Sequence, residues 1–211
     1  MKLIFTFYHF CILLFFSACS SEKKQETSFA VHEICGREFK SAAIYRVKAP
    51  FQWQFHGPEI TENLSDTKKP LCEFFIQEDR HEIRITIHNF PSKTIEDRIP
   101  PSAQIIRWKR QFEEFNPLTV STLPQSFGGF VGAFFEASGK IEGAGITMLC
   151  WSMQIAPEHY RRLSGNVSEQ SKNEEIRSCY TIKAMGPVVL IEKNRKTIIN
   201  FARSFELVNE I

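Results

Sequence analysis

The stretch that decides the fold is Gly128-Gly129-Phe130-Val131-Gly132-Ala133-Phe134-Phe135-Glu136-Ala137-Ser138, answered after Gly139-Lys140-Ile141-Glu142-Gly143 by Gly145-Ile146-Thr147-Met148-Leu149-Cys150-Trp151-Ser152-Met153-Gln154-Ile155. Two long apolar-rich segments joined by a short stretch with the glycines that tight turns require read as a β-hairpin. Side chains alternate across a strand, so Val131, Ala133, Phe135 and Ala137 line one face while Phe130, Gly132 and Phe134 line the other. Both faces are apolar. A sheet of this kind needs cover on each side, which predicts helices packed on both faces.

The flanking sequence extends the same sheet. Ala43-Ile44-Tyr45-Arg46-Val47-Lys48 alternates until Ala49-Pro50, and Phe51-Gln52-Trp53-Gln54-Phe55 alternates until His56-Gly57-Pro58. Leu71 to Gln77 and His81 to His88 flank Glu78-Asp79-Arg80 as a further hairpin, with Ile83, Ile85 and Ile87 on one face. A helical period follows Pro100-Pro101, where Ile105, Trp108 and Phe112 recur at helical intervals, and Asn116-Pro117 closes that helix. Ile176 to Ala184 reads as another strand. Gly186-Pro187 then opens a last helix whose apolar stripe is Ile191, Ile198, Phe201, Ala202 and Phe205. Ser164 to Glu175 has the composition of a loop. The predicted fold is α+β, a mainly antiparallel sheet in an α/β/α sandwich, forming one domain over residues 40–211.

The chain has 211 residues with 26 Lys+Arg against 24 Asp+Glu, so it has no net field to draw a nucleic acid. Hydrophobic residues at 43% and charged residues at 24% match a soluble domain and exclude a disordered tail, a collagen and a polytopic membrane protein.

Met1-Lys2 precedes an apolar run from Leu3 to Phe16, the length of a signal-peptide core and short of the ~20 residues that span a bilayer. The run ends in Phe16-Ser17-Ala18-Cys19, which resembles a bacterial lipobox. That resemblance implies a leader over residues 1–18, a lipid on Cys19 as the first mature residue, and a tether over 19–39. The alternative is an ordinary secretory signal with an incidental cysteine. Ser20 follows the cysteine, and the absence of Asp there implies, by the same resemblance, sorting to an outer membrane with a periplasmic or surface face. Ser20 to Ser28 holds no large apolar residue and suits a flexible tether.

With Cys11 cleaved and Cys19 lipidated, Cys35, Cys72, Cys150 and Cys179 remain in an oxidising compartment. Four cysteines allow three pairings, and their spacing matches no zinc-ribbon pattern, which leaves structural disulfides or buried free thiols and predicts no metal.

A second resemblance rests on Pro101…Arg107-Trp108-Lys109-Arg110-Gln111-Phe112, Gly128-Gly129-Phe130-Val131-Gly132 and Gly186-Pro187…Phe201…Ser204. It is similar to the PsbP-like and DcrB-like domain of exported bacterial lipoproteins and photosystem accessory proteins. This implies a central antiparallel sheet between helical layers across about residues 40 to 208, used for binding or assembly. No catalytic or cofactor residue follows from it.

Chemistry is sparse in the sequence. There is no Gly-x-Ser-x-Gly elbow, Ser-x-x-Lys, His-Glu-x-x-His or phosphate-binding glycine loop. Cys35 with His32 is the best nucleophile pair, and it motivates the alternative reading of an envelope thiol- or histidine-dependent hydrolase. His81 and His88 stand at odd separation on one strand and face opposite ways. Arg107, Lys109, Arg110, Arg161, Arg162, Lys193, Arg195 and Lys196 form basic faces suited to solvation, or to anionic head groups or a glycan. Glu113, Glu114 and Glu136 offer carboxylates without a diagnostic spacing. The expectation is a lipid-anchored, non-catalytic envelope accessory module without cofactor, held to the membrane by its N-terminal lipid, with an envelope protein or glycan as partner. A surface antigen is a third reading.

Overall fold

The computed structural model describes residues 28–37, 43–59, 68–92, 94–156 and 178–208. The expected leader over residues 1–18, Cys19, Arg161, Arg162 and the expected loop over 164–175 lie outside these residues.

The hairpin that anchors the sequence reading forms strands β8 (Phe130–Ile141) and β9 (Ala144–Ile155), paired along their whole length from Phe130↔Ile155 to Ile141↔Ala144. The turn is tighter than the sequence suggests. Only Glu142 and Gly143 lie outside the ladder, at φ 50° and 74°, a pair of left-handed residues matching the right-handed strand twist. Gly139 has a different duty. It lies within β8, where a Cβ would stand 2.2 Å from the carbonyl oxygen of Glu114 on the antiparallel neighbouring strand.

Eleven strands and two helices are seen among the described residues. The large sheet takes the order β3 (Gln54–His56), β4 (Cys72–Glu78), β5 (His81–Asn89), β10 (Cys179–Pro187), β9, β8, β6 (Glu114–Phe115), with β7 (Ser121–Phe127) also paired to β8. A three-stranded sheet holds β1 (Phe29–Cys35), β2 (Ala43–Pro50) and β11 (Glu206–Leu207). Every pairing is antiparallel. The molecule is therefore α+β, mainly antiparallel sheet with helix α1 (Pro101–Lys109) and helix α2 (Val188–Arg203).

Alternation along the strands sorts the core into two clusters. Phe130, Phe134, Leu149, Trp151, Tyr180, Ile182, Phe74, Ile83, Ile85 and Ile87 pack with Ile191, Ile198, Phe201 and Ala202 of α2 and with Ile34, Tyr45 and Val47 of the small sheet. Phe135, Ala137, Met148 and Cys150 pack with Ile105 and Trp108 of α1 and with Phe112.

Four local expectations are corrected. The first helix stops at Lys109, not at Asn116, because Arg110 caps it; Phe112 reaches the core from outside the helix. Phe51, Gln52 and Trp53 form a turn, leaving a strand of three residues. Gly186 and Pro187 end β10, and Pro187 caps α2 from outside it. Strand β1 occupies Phe29–Cys35 within the 19–39 stretch assigned to the tether, so ordered structure starts upstream of residue 40.

Candidate functional site

Isoleucines at 83, 85 and 87 of β5 face the core shared with α2, so Glu82, Arg84, Thr86 and His88 face the other way. On that face, cross-strand register lines Glu73, Thr86, Lys183 and Cys150 into one row over β4, β5, β10 and β9. Neighbouring rows place Phe75, Arg84 and Met185 together, and His88 beside Thr181. Trp108 of α1 stacks on Phe135 at 6.1 Å between ring centroids, which brings Arg107 and Gln111 to the border of this face.

The polar groups here are unevenly satisfied. Arg84 is tied to Glu73 through Nε at 2.7 Å and Nη2 at 2.6 Å. Lys183 Nζ donates to Oε1 of Gln111 at 3.2 Å, a neutral acceptor. Thr86 is 6% exposed, and its Oγ1 is buried with no hydrogen-bond partner. Burial first, and then Arg37, Lys183, Arg107 and Arg84, lower the His88 imidazole from its ordinary range to about 4. Burial likewise lowers Lys183, with Arg84 and Arg107 adding to it against the opposing influence of Cys150. These side chains thus share one local positive field.

The residues singled out in the sequence meet different fates. His32 packs its ring on Phe55 at 4.7 Å and on Phe74 at 5.2 Å, and burial lowers its pKa. Cys35 lies beyond a register shift after Ile34, half-buried opposite Ala43. His32 is thus engaged with aromatic rings, not with Cys35. His81 sits at the exposed hairpin end opposite Glu78, apart from His88. Cys35, Cys72, Cys150 and Cys179 are free thiols, and burial raises the pKa of Cys72, Cys150 and Cys179. No group of three or more His, Cys, Asp and Glu able to hold a metal occurs among the described residues.

Glu113, Glu114, Glu136 and several cations serve the fold. Glu136 accepts a bidentate pair from Arg195, with Nη2 to Oε2 at 2.6 Å, so Arg195 belongs to an ion pair between β8 and α2 instead of a free basic face. Glu114 meets Lys140 at 3.0 Å, and Glu113 accepts from the Gly143 amide at 3.3 Å. Lys193 pairs with Glu78, and Lys109 stands 5.9 Å over the Phe135 ring. Nothing local in the sequence marks Thr86, Lys183 and Arg84 as a group. Their only sequence signal is the polar half of the alternation from His81 to His88, and the register that adds Lys183 is non-local.

A second feature lies at the first described residues of the chain. Phe29, Val31 and Phe51 are 55%, 60% and 77% exposed, and the Phe51 amide donates to the Ser28 carbonyl at 3.0 Å. Beside them Val31, Arg46, Val47, Lys48, Ser204 and Glu206 line a hollow of about 270 Å³, with Arg46 held by Glu206 at 2.6 Å.

No protein-family model matches the chain, and no curated protein matches it. Among solved structures, LpqN of Mycobacterium tuberculosis, involved in cell envelope biogenesis, is similar at TM-score 0.49 and 8% identity over 89% of this chain and 88% of that one. The cyanobacterial PsbP, CyanoP, of Synechocystis is similar at TM-score 0.47 and 12% identity over 89% of this chain and 97% of that one. At these scores the likenesses decide neither family nor function.

Proposed function

We propose that this chain is a lipid-anchored bacterial envelope lipoprotein, a PsbP-like α/β/α sandwich with one helix on each face of its large sheet, acting as a non-catalytic binding or assembly accessory. The observation that carries the reading is the apolar Leu3–Phe16 run ending in Phe16-Ser17-Ala18-Cys19, followed by polar residues up to the first strand. More than one acyl chain on Cys19, as the lipobox resemblance implies, would make release from a bilayer negligible at ~0.8 kcal/mol per buried CH2.

The position of the chain's entry into the fold supports an anchored role. Ser28 lies nine residues after Cys19, which limits its distance from the lipid to about 30 Å. The exposed Phe29, Val31 and Phe51 stand at that entry, suited to the apolar boundary of a bilayer. The non-catalytic part of the proposal is supported by His32 being packed on aromatic rings and by three of the four mature thiols being buried.

The test is fractionation of cells expressing the chain or Cys19→Ala, with circular dichroism of both proteins. The reading predicts a folded variant that leaves the membrane fraction. A folded variant still recovered in the lipid phase overturns it.

A further inference from the structure

Thr86 is set in the middle of a sheet, yet its hydroxyl is buried and unpartnered. Buried polar groups are almost always satisfied, so this oxygen asks for a partner that the described protein atoms do not supply. Lys183 is its directly opposed neighbour on β10, and opposed side chains in a sheet stand about 4.5–5.5 Å apart at Cβ. The Lys183 ammonium has three donors, and its hydrogen bond is to the neutral Gln111. Among the described residues no carboxylate forms an ion pair with Lys183 or with Arg107, which is exposed on α1.

The charge around this pair is lopsided. Arg37, Arg84, Arg107 and Lys183 all act on His88, and Glu73 is the facing carboxylate, already engaged by Arg84. Arg37 is buried and donates to the Lys69 carbonyl. Solvation explains the exposed Arg107 on its helix, but it leaves the buried Thr86 hydroxyl without a partner. A hydroxyl, an ammonium point charge and a forked guanidinium together suit a group with several anionic oxygens carrying more than one charge.

We propose that the face built on Thr86, Lys183, Arg84 and Arg107 binds a phosphate group. Thr86 donates to one oxygen at the floor of the site, Lys183 neutralises the anion, and Arg107 closes over it from α1. The phosphate is either free or the head group of an anionic lipid. Both present the same oxygens, and the site is independent of whether Cys19 is lipidated.

The experiment is thermal melting of the membrane-purified chain in neutral detergent, at matched ionic strength, with chloride, inorganic phosphate, or short-chain phosphatidylglycerol against phosphatidylcholine. The expected result is a higher Tm with phosphate, or with phosphatidylglycerol alone if the ligand is a lipid head group. Lys183→Met should weaken the half-saturating concentration about tenfold or more, as loss of a charged hydrogen bond does. Arg107→Gln, an exposed change that spares the core, should weaken it several-fold, and Thr86→Val should do likewise. No shift with either ligand, or the same shift in Arg107→Gln and Lys183→Met as in the wild type, overturns the proposal.

Discussion

His88 lies mostly buried on the face of β5 opposite Ile83, Ile85 and Ile87, stacked with Phe90 at 6.3 Å, within electrostatic reach of Arg37, Lys183, Arg107 and Arg84 and with Glu73 as the nearby carboxylate on β4. Burial, then those cations, lower its pKa to about 4 against an ordinary 6.5. The sign follows from which state binds the proton first. Above pH 6.5 both states are neutral and the stability is fully present. As the pH falls below 6.5 the unfolded chain takes up the proton while the native imidazole refuses it, so stability declines, and the loss is complete below about pH 4. A gap of about 2.5 pH units corresponds to about 3 kcal/mol, at 1.36 kcal/mol per unit. That is a large share of the ~5–15 kcal/mol that holds a typical domain together.

The assay is urea unfolding in phosphate-free buffer at pH 7, 6, 5 and 4, comparing the wild type with His88→Gln. Glutamine keeps a polar side chain but cannot be protonated in this range. Other groups that titrate there, such as His32 and Glu78, act on both proteins and cancel in the difference. The wild type should lose about 3 kcal/mol more than the variant between pH 7 and pH 4. A difference that stays constant across the series would refute the reasoning, whatever its absolute size.

Trp108, 4% exposed and stacked on Phe135, should cost about 3–5 kcal/mol when replaced by alanine, read as a lowered urea midpoint. Gly132→Ala should be severe, about 3 kcal/mol or more, because the added Cβ would stand 2.0 Å from the Ser152 carbonyl oxygen, a backbone atom that cannot swing aside. Of Cys35, Cys72, Cys150 and Cys179 in the native chain, a thiol reagent should modify Cys35 first, with the other three reacting only on addition of denaturant. Glu136→Gln should lower the Tm by weakening the Arg195 pair between β8 and α2, and the loss should persist at high salt because the carboxylate is 14% exposed.

The parts of this fold that were readable from sequence are those whose partners are local. The β4–β5 and β8–β9 hairpins announce themselves by alternation over seven to twelve residues and by a turn between adjacent strands. The α2 stripe is legible for the same reason, since Ile191, Ile198, Phe201 and Ala202 need only the helical period to share a face. Strand β7 is hidden from sequence because Pro124 argues against a strand; among the described residues β7 pairs with β8 alone, where a proline is tolerated at a sheet edge. Strands β6 and β11 are two residues each, too short for any period. Phe112 fits the helical spacing of Ile105 and Trp108, yet packs beside them from an irregular segment, so periodicity lengthened α1 beyond its true end.

The candidate site divides along the same line. That His81 and His88 point apart follows from parity alone. Thr86 looks like an ordinary strand residue in sequence, and its unmet hydroxyl exists only once β10 brings Lys183 opposite it, almost a hundred positions later. The pairing of Glu136 with Arg195 was equally hidden. It needs α2 packed on the sheet close enough for Arg195 to reach β8, a contact between distant segments that neither segment's composition records.

The central claim is that the chain is moored at Cys19. The most direct measurement is mass spectrometry of the N-terminal peptide of the protein purified from its native membrane. The account predicts a peptide that begins at Cys19 and carries the added mass of a diacylglyceryl group. A peptide in which residues 1–18 are still attached and the Cys19 thiol is unmodified would contradict it.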